Sequence, residues 1–195
     1  MSMVNESGRR SMRTLKRTRK TPQLGQLFYC SVQEGEYFWG RLIKKIEWSY
    51  SSTQTDVDFL TYLYNYPTTE PIPPTNVDWS LQDLLIPPYF EIAGAWTLGL
   101  FVFIDQIIPI SQDELTRTHY FRHPMWAYPQ GAGKTLDEYE NPIIPPADAV
   151  IGNLPIPNRA GLAWDIDMAL GRNHLYDYFV DDDGNTVPNP NKTTN

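Results

Sequence analysis

The stretch Leu24-Gly-Gln-Leu-Phe-Tyr-Cys-Ser-Val-Gln-Glu-Gly-Glu-Tyr-Phe-Trp-Gly-Arg41 reads as a β-hairpin. Phe28, Cys30 and Val32 alternate on one face, Gln33 to Glu36 supply a Gly-containing turn, and Tyr37 to Ile43 run back. Gly40 lies inside the return strand, where a missing side chain marks a bulge or the close approach of another backbone. Ile46 to Ser52 leads into a polar break at Thr53-Gln-Thr55. Val57 to Tyr66 then alternates with apolar residues on both faces, which predicts a further strand.

A second stretch, Ile86-Pro-Pro-Tyr-Phe-Glu-Ile-Ala-Gly-Ala-Trp-Thr-Leu-Gly-Leu-Phe-Val-Phe-Ile-Asp105, enters through the stiff Pro87-Pro88 pair, turns near Gly94 and Gly99, and leaves as an apolar strand from Leu100. Together the two stretches resemble immunity protein 26, an immunity family of bacterial polymorphic toxin systems. Its members open with a Gly-Asp-x-Phe hairpin that ends in Gly-Arg, then carry Pro-Pro, a Trp and a Gly-x-Phe strand. The corresponding residues are Gly25, Gly40, Arg41, Pro87, Pro88, Trp96, Gly99 and Phe101. The resemblance continues through Phe121, Asp137-Glu138-Tyr139, Gly152 and Ile166 to Leu170, so that it covers about residues 22 to 172. It departs from the family at Gln26, where Asp is usual. The resemblance implies a small cytoplasmic protein that binds and neutralises a toxin without chemistry of its own, and leaves the toxin's identity open.

Composition bounds these expectations. At 195 residues with 41% hydrophobic and 13% aromatic residues, one ordered domain with a real core is expected. Seventeen prolines fall between apolar runs and rule against long helices. The single cysteine, Cys30, has no disulfide partner within the chain and suits a reducing compartment. No apolar run approaches the roughly 18 residues of a membrane span, so no membrane partner is expected. Charge is divided unevenly. Residues 1–21 hold seven cations against Glu6, a balance of +6, so within a chain total of −7 the remainder carries −13. An acidic body disfavours nucleic acid and favours a basic protein partner. The basic segment is expected to be a disordered leader, and Met12 permits a later translational start that would leave the fold intact.

Elsewhere, Asp78 to Leu85 suggests two helical turns stopped by Pro87. Tyr89 to Ile92 and Leu100 to Ile108 read as strands. Ser111-Gln-Asp-Glu114 fits a capping box. Thr118 to Arg122 and Lys134 to Tyr139 are weaker strand candidates, 141–158 is Pro-rich and irregular, Trp164 to Gly171 is a short helix, and His174 to Val180 is a terminal strand. These elements predict a mainly β fold (α+β at most): a bent antiparallel SH3-like sheet or partly open barrel with one or two short helices. The organisation expected is a leader at 1–21, a single domain at 22–180 and a polar disordered tail at 181–195.

Candidate chemistry is thin. Gly131-Ala-Gly-Lys-Thr135 resembles the end of a phosphate loop, but Tyr128 occupies the position that needs Gly, so the loop reads as ordinary surface and Lys134 as solvated. His119 and His123 lie four apart with Pro124 following and no Glu between them, and His174 reads as a strand-edge residue. Asp181-Asp-Asp-Gly184 fails the calcium-loop register. The pairs Glu34/Glu36 and Asp165/Asp167 are expected to lack the pocket that glycosidase work needs. No catalytic, metal or cofactor site is therefore assigned. What remains is surface: Tyr37, Trp39, Tyr62, Tyr64 and Trp96 as aromatic anchors beside Asp56, Asp58, Asp78 and Asp83 would suit a partner-binding patch for a basic toxin. The alternative is a non-catalytic adaptor or regulatory module.

Overall fold

The opening hairpin grows into a five-stranded antiparallel sheet ordered β4-β3-β2-β1-β5. Its strands are β1 (Gln26–Cys30), β2 (Tyr37–Ser51), β3 (Gln54–Thr68), β4 (Leu84–Ile92) and β5 (Val102–Ile107). The computed structural model describes residues 10–51, 54–79, 83–92, 94–122, 134–153, 159–172, 175–176, 178–180 and 186–188. Three short helices accompany the sheet: α1 (Gly94–Thr97), α2 (Gln112–Thr116) and α3 (Arg159–Ala169). A smaller sheet, ordered β7-β6-β8, joins β6 (Tyr120–Arg122) antiparallel to β7 (Thr135–Asp137) and parallel to β8 (Ile151–Asn153). The fold is thus mainly β with short helices, and neither sheet closes into a barrel among the described residues.

Both faces of the large sheet are buried, which is why Val57 to Tyr66 is apolar on each. On the first face, Phe28, Phe38, Leu42, Phe59 and Leu63 pack under Leu162, Ala163 and Ile166 of α3 and under Trp96 and Phe101. Phe28 stacks on Phe101 with ring centroids 4.3 Å apart. On the second face, Leu27, Trp39, Ile43, Tyr62, Tyr64 and Trp79 form a separate cluster. Ile46, Leu60 and Phe90 continue toward Phe121 of the small sheet. Apolar burial on two sides supplies the main driving force for folding.

One irregularity in β2 decides which side chains reach the second face. Leu42 pairs with Thr61 and Lys44 with Leu60, so Ile43 is an extra residue in the ladder. Strict alternation would turn Lys44 toward Leu42 and the apolar first face. The bulge corrects the parity and places Lys44 on the same side as Arg41.

The motif glycines are packing positions. Gly25 has φ +79°, and an added Cβ would run into the carbonyl of Ile108. At Gly40 it would collide with the Phe28 ring and lie 2.6 Å from the Tyr62 carbonyl, so close approach is the reason for glycine there.

Several sequence expectations are corrected. Residues 10–20 are no disordered leader: Met12 is fully buried in the first-face core. The segment is tied down by Arg13 N–H to Ser31 O (2.8 Å), Leu15 N–H to Gly99 O (2.7 Å) and Thr18 N–H to Trp96 O (3.1 Å). A start at Met12 would therefore touch the fold. Of the helix expected over Asp78 to Leu85, residues 80–82 lie outside the described residues, and Leu84 and Leu85 belong to β4, where Leu85 and Ile86 bury their side chains in the first-face core. Pro87 and Pro88 lie within β4, at a register shift on an edge strand, where a missing N–H is tolerated. β8 arises in the Pro-rich stretch read as irregular. In the expected tail, β10 (Thr186–Pro188) pairs with β9 (Tyr178–Val180). Residues 1–9, 181–185 and 189–195 lie outside the described residues.

Two predictions follow from the packing. Gly40→Val is expected to destabilise by about 1–3 kcal/mol, read from the urea midpoint; an unchanged midpoint would show that Phe28 and β3 yield freely. Met12→Ala is expected to cost about 2–4 kcal/mol as a large-to-small core change, and thermal unfolding equal to wild type would return residues 10–20 to a dispensable leader.

Candidate functional site

The parity set by the bulge buries two cations on one face of β2, and each is met by a carboxylate from later in the chain. Arg41, 1% exposed, pairs with Glu114 and donates to the carbonyls of Trp79 (3.0 Å) and Pro109 (3.3 Å). Glu114 is also the third residue of the capping box of α2: its Oε2 accepts from Ser111 N–H at 2.9 Å while Glu114 N–H donates to Ser111 Oγ. One carboxylate therefore caps a helix and neutralises a buried guanidinium. Lys44 donates to Glu138 Oε1 and to the carbonyl of Arg117, both at 2.6 Å. Glu138 is held just after β7 by a turn in which Asp137 Oδ1 accepts from the N–H groups of Tyr139 and Asn141.

His119 links the two pairs. Its Nε2 lies 2.5 Å from the Tyr62 hydroxyl, its N–H donates to Glu138 Oε2 at 2.8 Å, and its Nδ1 faces Glu138 Oε1 at 3.8 Å. Burial pushes the His119 pKa below its ordinary value, against the opposing pull of Glu138. Burial raises that of Tyr62, which stays a phenol and donates to Nε2, leaving the imidazole proton on Nδ1 toward Glu138. For Glu138 itself desolvation pushes upward, but hydrogen bonds from His119 and Lys44 outweigh it and hold the pKa at about 2. The second face thus holds the Arg41–Glu114 and Lys44–Glu138 pairs around a histidine whose burial favours the neutral imidazole.

The segment that carries His119 also walls a groove, a cavity of about 590 Å³. Leu84 to Pro88 of β4 form one side; Arg117 to Tyr120, Pro146, Asp148 and Val150 form the other. Among the described residues β4 is an edge of the large sheet and pairs only with β3. Gly152 of β8 closes against the Pro88 carbonyl, where a Cβ would not fit.

A second charged cluster lies near α3. Asp167, fully buried, meets Arg10 at 2.9 Å and accepts from Tyr176 at 2.8 Å, while Arg172 bridges it to Glu36. Burial raises the pKa of Asp165 to about 6 and pushes that of Asp167 upward.

The aromatic surface patch expected from the sequence does not form. Trp39, Tyr62 and Tyr64 are fully buried and Trp96 is 3% exposed, because the second sheet and the 10–20 segment cover faces that a lone hairpin would expose. Tyr37 and Asp58 are partly exposed and Asp78 and Asp83 exposed; the Asp56 side chain lies outside the described residues. Cys30 is buried with its thiol pKa raised by desolvation. His123, His174 and Trp126 lie outside the described residues, as do Gly131 and Gly133, and Thr135 opens a strand in place of a phosphate-binding helix. No group of acidic, His and Cys side chains among the described residues is arranged to hold a metal. Sequence reading singled out Glu114 through its capping box and Glu138 through the family resemblance, but missed Lys44 and its pairing with Glu138, which depends on the bulge. No protein-family model matches the chain, and comparisons with curated proteins and with solved structures likewise find no match.

Glu138→Gln leaves Lys44 buried without its counterion and is expected to cost about 2–4 kcal/mol at pH 7. Because the folded pKa of Glu138 lies below its unfolded value, this contribution is present above pH 4.5 and lost as pH falls toward about 2. Urea unfolding of both proteins should therefore show a gap that closes on acidification through that window. A gap independent of pH would mean that the carboxylate acts only by packing.

Proposed function

We propose that this protein is a cytoplasmic immunity-type inhibitor that neutralises a bacterial toxin by stoichiometric binding. The observation that carries the reading is where the residues of the family resemblance sit. Gly25, Gly40, Arg41, Phe101, Phe121, Glu138 and Gly152 all lie in close packing or in buried ion pairs. A pattern spent on internal contacts specifies a scaffold, and the exterior is left to recognise a partner. That exterior includes the acids Asp78, Asp83, Asp105, Asp113, Glu140 and Asp148, all exposed, which would speed encounter with a basic partner. Among the described residues no helix is long and apolar enough to cross a membrane.

Neutralisation by binding needs shape and charge, not a nucleophile. Co-expressed with the toxin encoded beside its gene, Cys30→Ser, His123→Gln, Lys134→Ala and His174→Gln variants should protect cells as wild type does. Reversing Asp78 and Asp83 to Lys should slow association by about 10-fold at low salt, with the effect shrinking as salt rises. One of the first four substitutions abolishing protection in a folded, toxin-bound protein would sink the inhibitor reading in favour of an enzyme.

A further inference from the structure

The groove beside β4 offers more than volume. Its β4 side is the unpaired edge of the large sheet, and an edge strand accepts an added strand wherever its N–H and C=O groups are free. Pro87 and Pro88 end that possibility after Ile86, since neither ring carries a backbone donor. An incoming chain can therefore pair only along Leu84 to Ile86. Beyond that point the groove presents the rings of Pro87, Pro88 and Pro146 with Val150 and Tyr120, a lining that takes a side chain and not a ladder. At 590 Å³ the space is ample for one large apolar residue.

Charge narrows the occupant further. Asp83 directly precedes Leu84 at the end where pairing is possible and is fixed by a hydrogen bond from the Tyr66 hydroxyl. Asp148 lines the opposite wall. The wall behind is stiff, because the Arg117 carbonyl is held by Lys44 and the His119 N–H by Glu138. Arg117, exposed on that wall, is the one cation of the lining and disfavours a cation seated beside it.

We propose that the groove receives an extended segment of a partner protein, with a large apolar, preferably aromatic, side chain seated against the proline rings and a basic residue facing Asp83. This deepens the inhibitor reading and rests on it: the groove would be where the toxin's anchor residue docks.

The test needs no toxin. The full chain, ¹⁵N-labelled, is titrated with the N-acetylated, C-amidated tripeptide Lys-Trp-Lys and, separately, with Glu-Trp-Glu. Lys-Trp-Lys should give saturable shifts at the amides of Leu84 to Ile86, Thr118 to Tyr120 and Val150. Glu-Trp-Glu should bind at least about 5-fold more weakly at low salt. Val150→Trp fills the groove from a position already 60% exposed and should weaken Lys-Trp-Lys about 10-fold, with the fold intact by its amide spectrum. Equal binding of the two peptides would make the groove a site for uncharged apolar ligands and overturn the proposal. So would saturable shifts confined to other surfaces, no binding at all, or concentration-dependent shifts of the same amides without peptide, which would assign the groove to a second copy of the chain. Protection against a toxin that survives Val150→Trp would remove the groove and leave the inhibitor reading standing. Peptide binding in the groove of a protein that neutralises nothing would remove the inhibitor reading alone.

Discussion

Two cations buried on one face of β2 hold this structure together, and they share that face because the ladder carries one extra residue at Ile43. Arg41 reaches forward to Glu114 and the carbonyls of Trp79 and Pro109; Lys44 reaches to Glu138 and the carbonyl of Arg117. Every one of those partners comes from a segment with little regular structure of its own. The strands of the small sheet are three residues each, too short to stand alone, and α2 has five residues. Anchoring to β2 is what gives them a fixed place.

Ion pairs of this kind are expensive to bury, and an apolar substitute of equal volume is often as stable. Their value here is register. An apolar face would accept the 109–120 segment in many sliding positions, whereas a guanidinium with three acceptors and an ammonium with two accept only one. Neutral His119 fits the same logic. A third cation between Arg41 and Lys44 would oppose both, and burial together with the charge of Lys44 disfavours the imidazolium. The groove inherits this rigidity, since its far wall is the same segment.

Much of the large sheet was legible in the sequence, because period-two alternation and the Gly-bearing turn of the first hairpin are local signals. The capping box at Ser111 was legible for the same reason. What escaped was decided by tertiary contact. Met12 sits in a run of cations, and nothing in Arg10 to Lys20 announces a strap, yet one apolar side chain and four backbone hydrogen bonds suffice to lay it over the first face. Asp78 to Leu85 has helical composition, but Leu85 and Ile86 gain more by joining β4. The aromatic residues exceed what one face of a sheet can hide; with both faces covered, Trp39, Tyr62, Tyr64 and Trp96 all find interior places. Lys44 was invisible as a buried residue, since a single inserted residue reverses its side and no composition rule locates a bulge.

The same strap changes how the surface charge is distributed. A leader waving in solvent would blur its charge over a large volume, but residues 10–20 lie fixed across the first face, with Lys16, Arg17, Arg19 and Lys20 exposed. Arg10 is spent on Asp167, and Arg41 and Lys44 are sealed inside, so these three cations do not offset the acids at the surface, although Lys45, Arg117, Arg122 and Lys134 are exposed. The strap over the first face carries four exposed cations in a short run, while Asp148 lines the groove opposite Arg117 and Asp83 directly precedes its first lining residue, Leu84. A basic partner is repelled by one region and drawn to the other, so the field orients it before contact. Internal pairing of Arg41 and Lys44 thus does two jobs from one arrangement, fixing the wall of the groove and keeping both cations away from its acids.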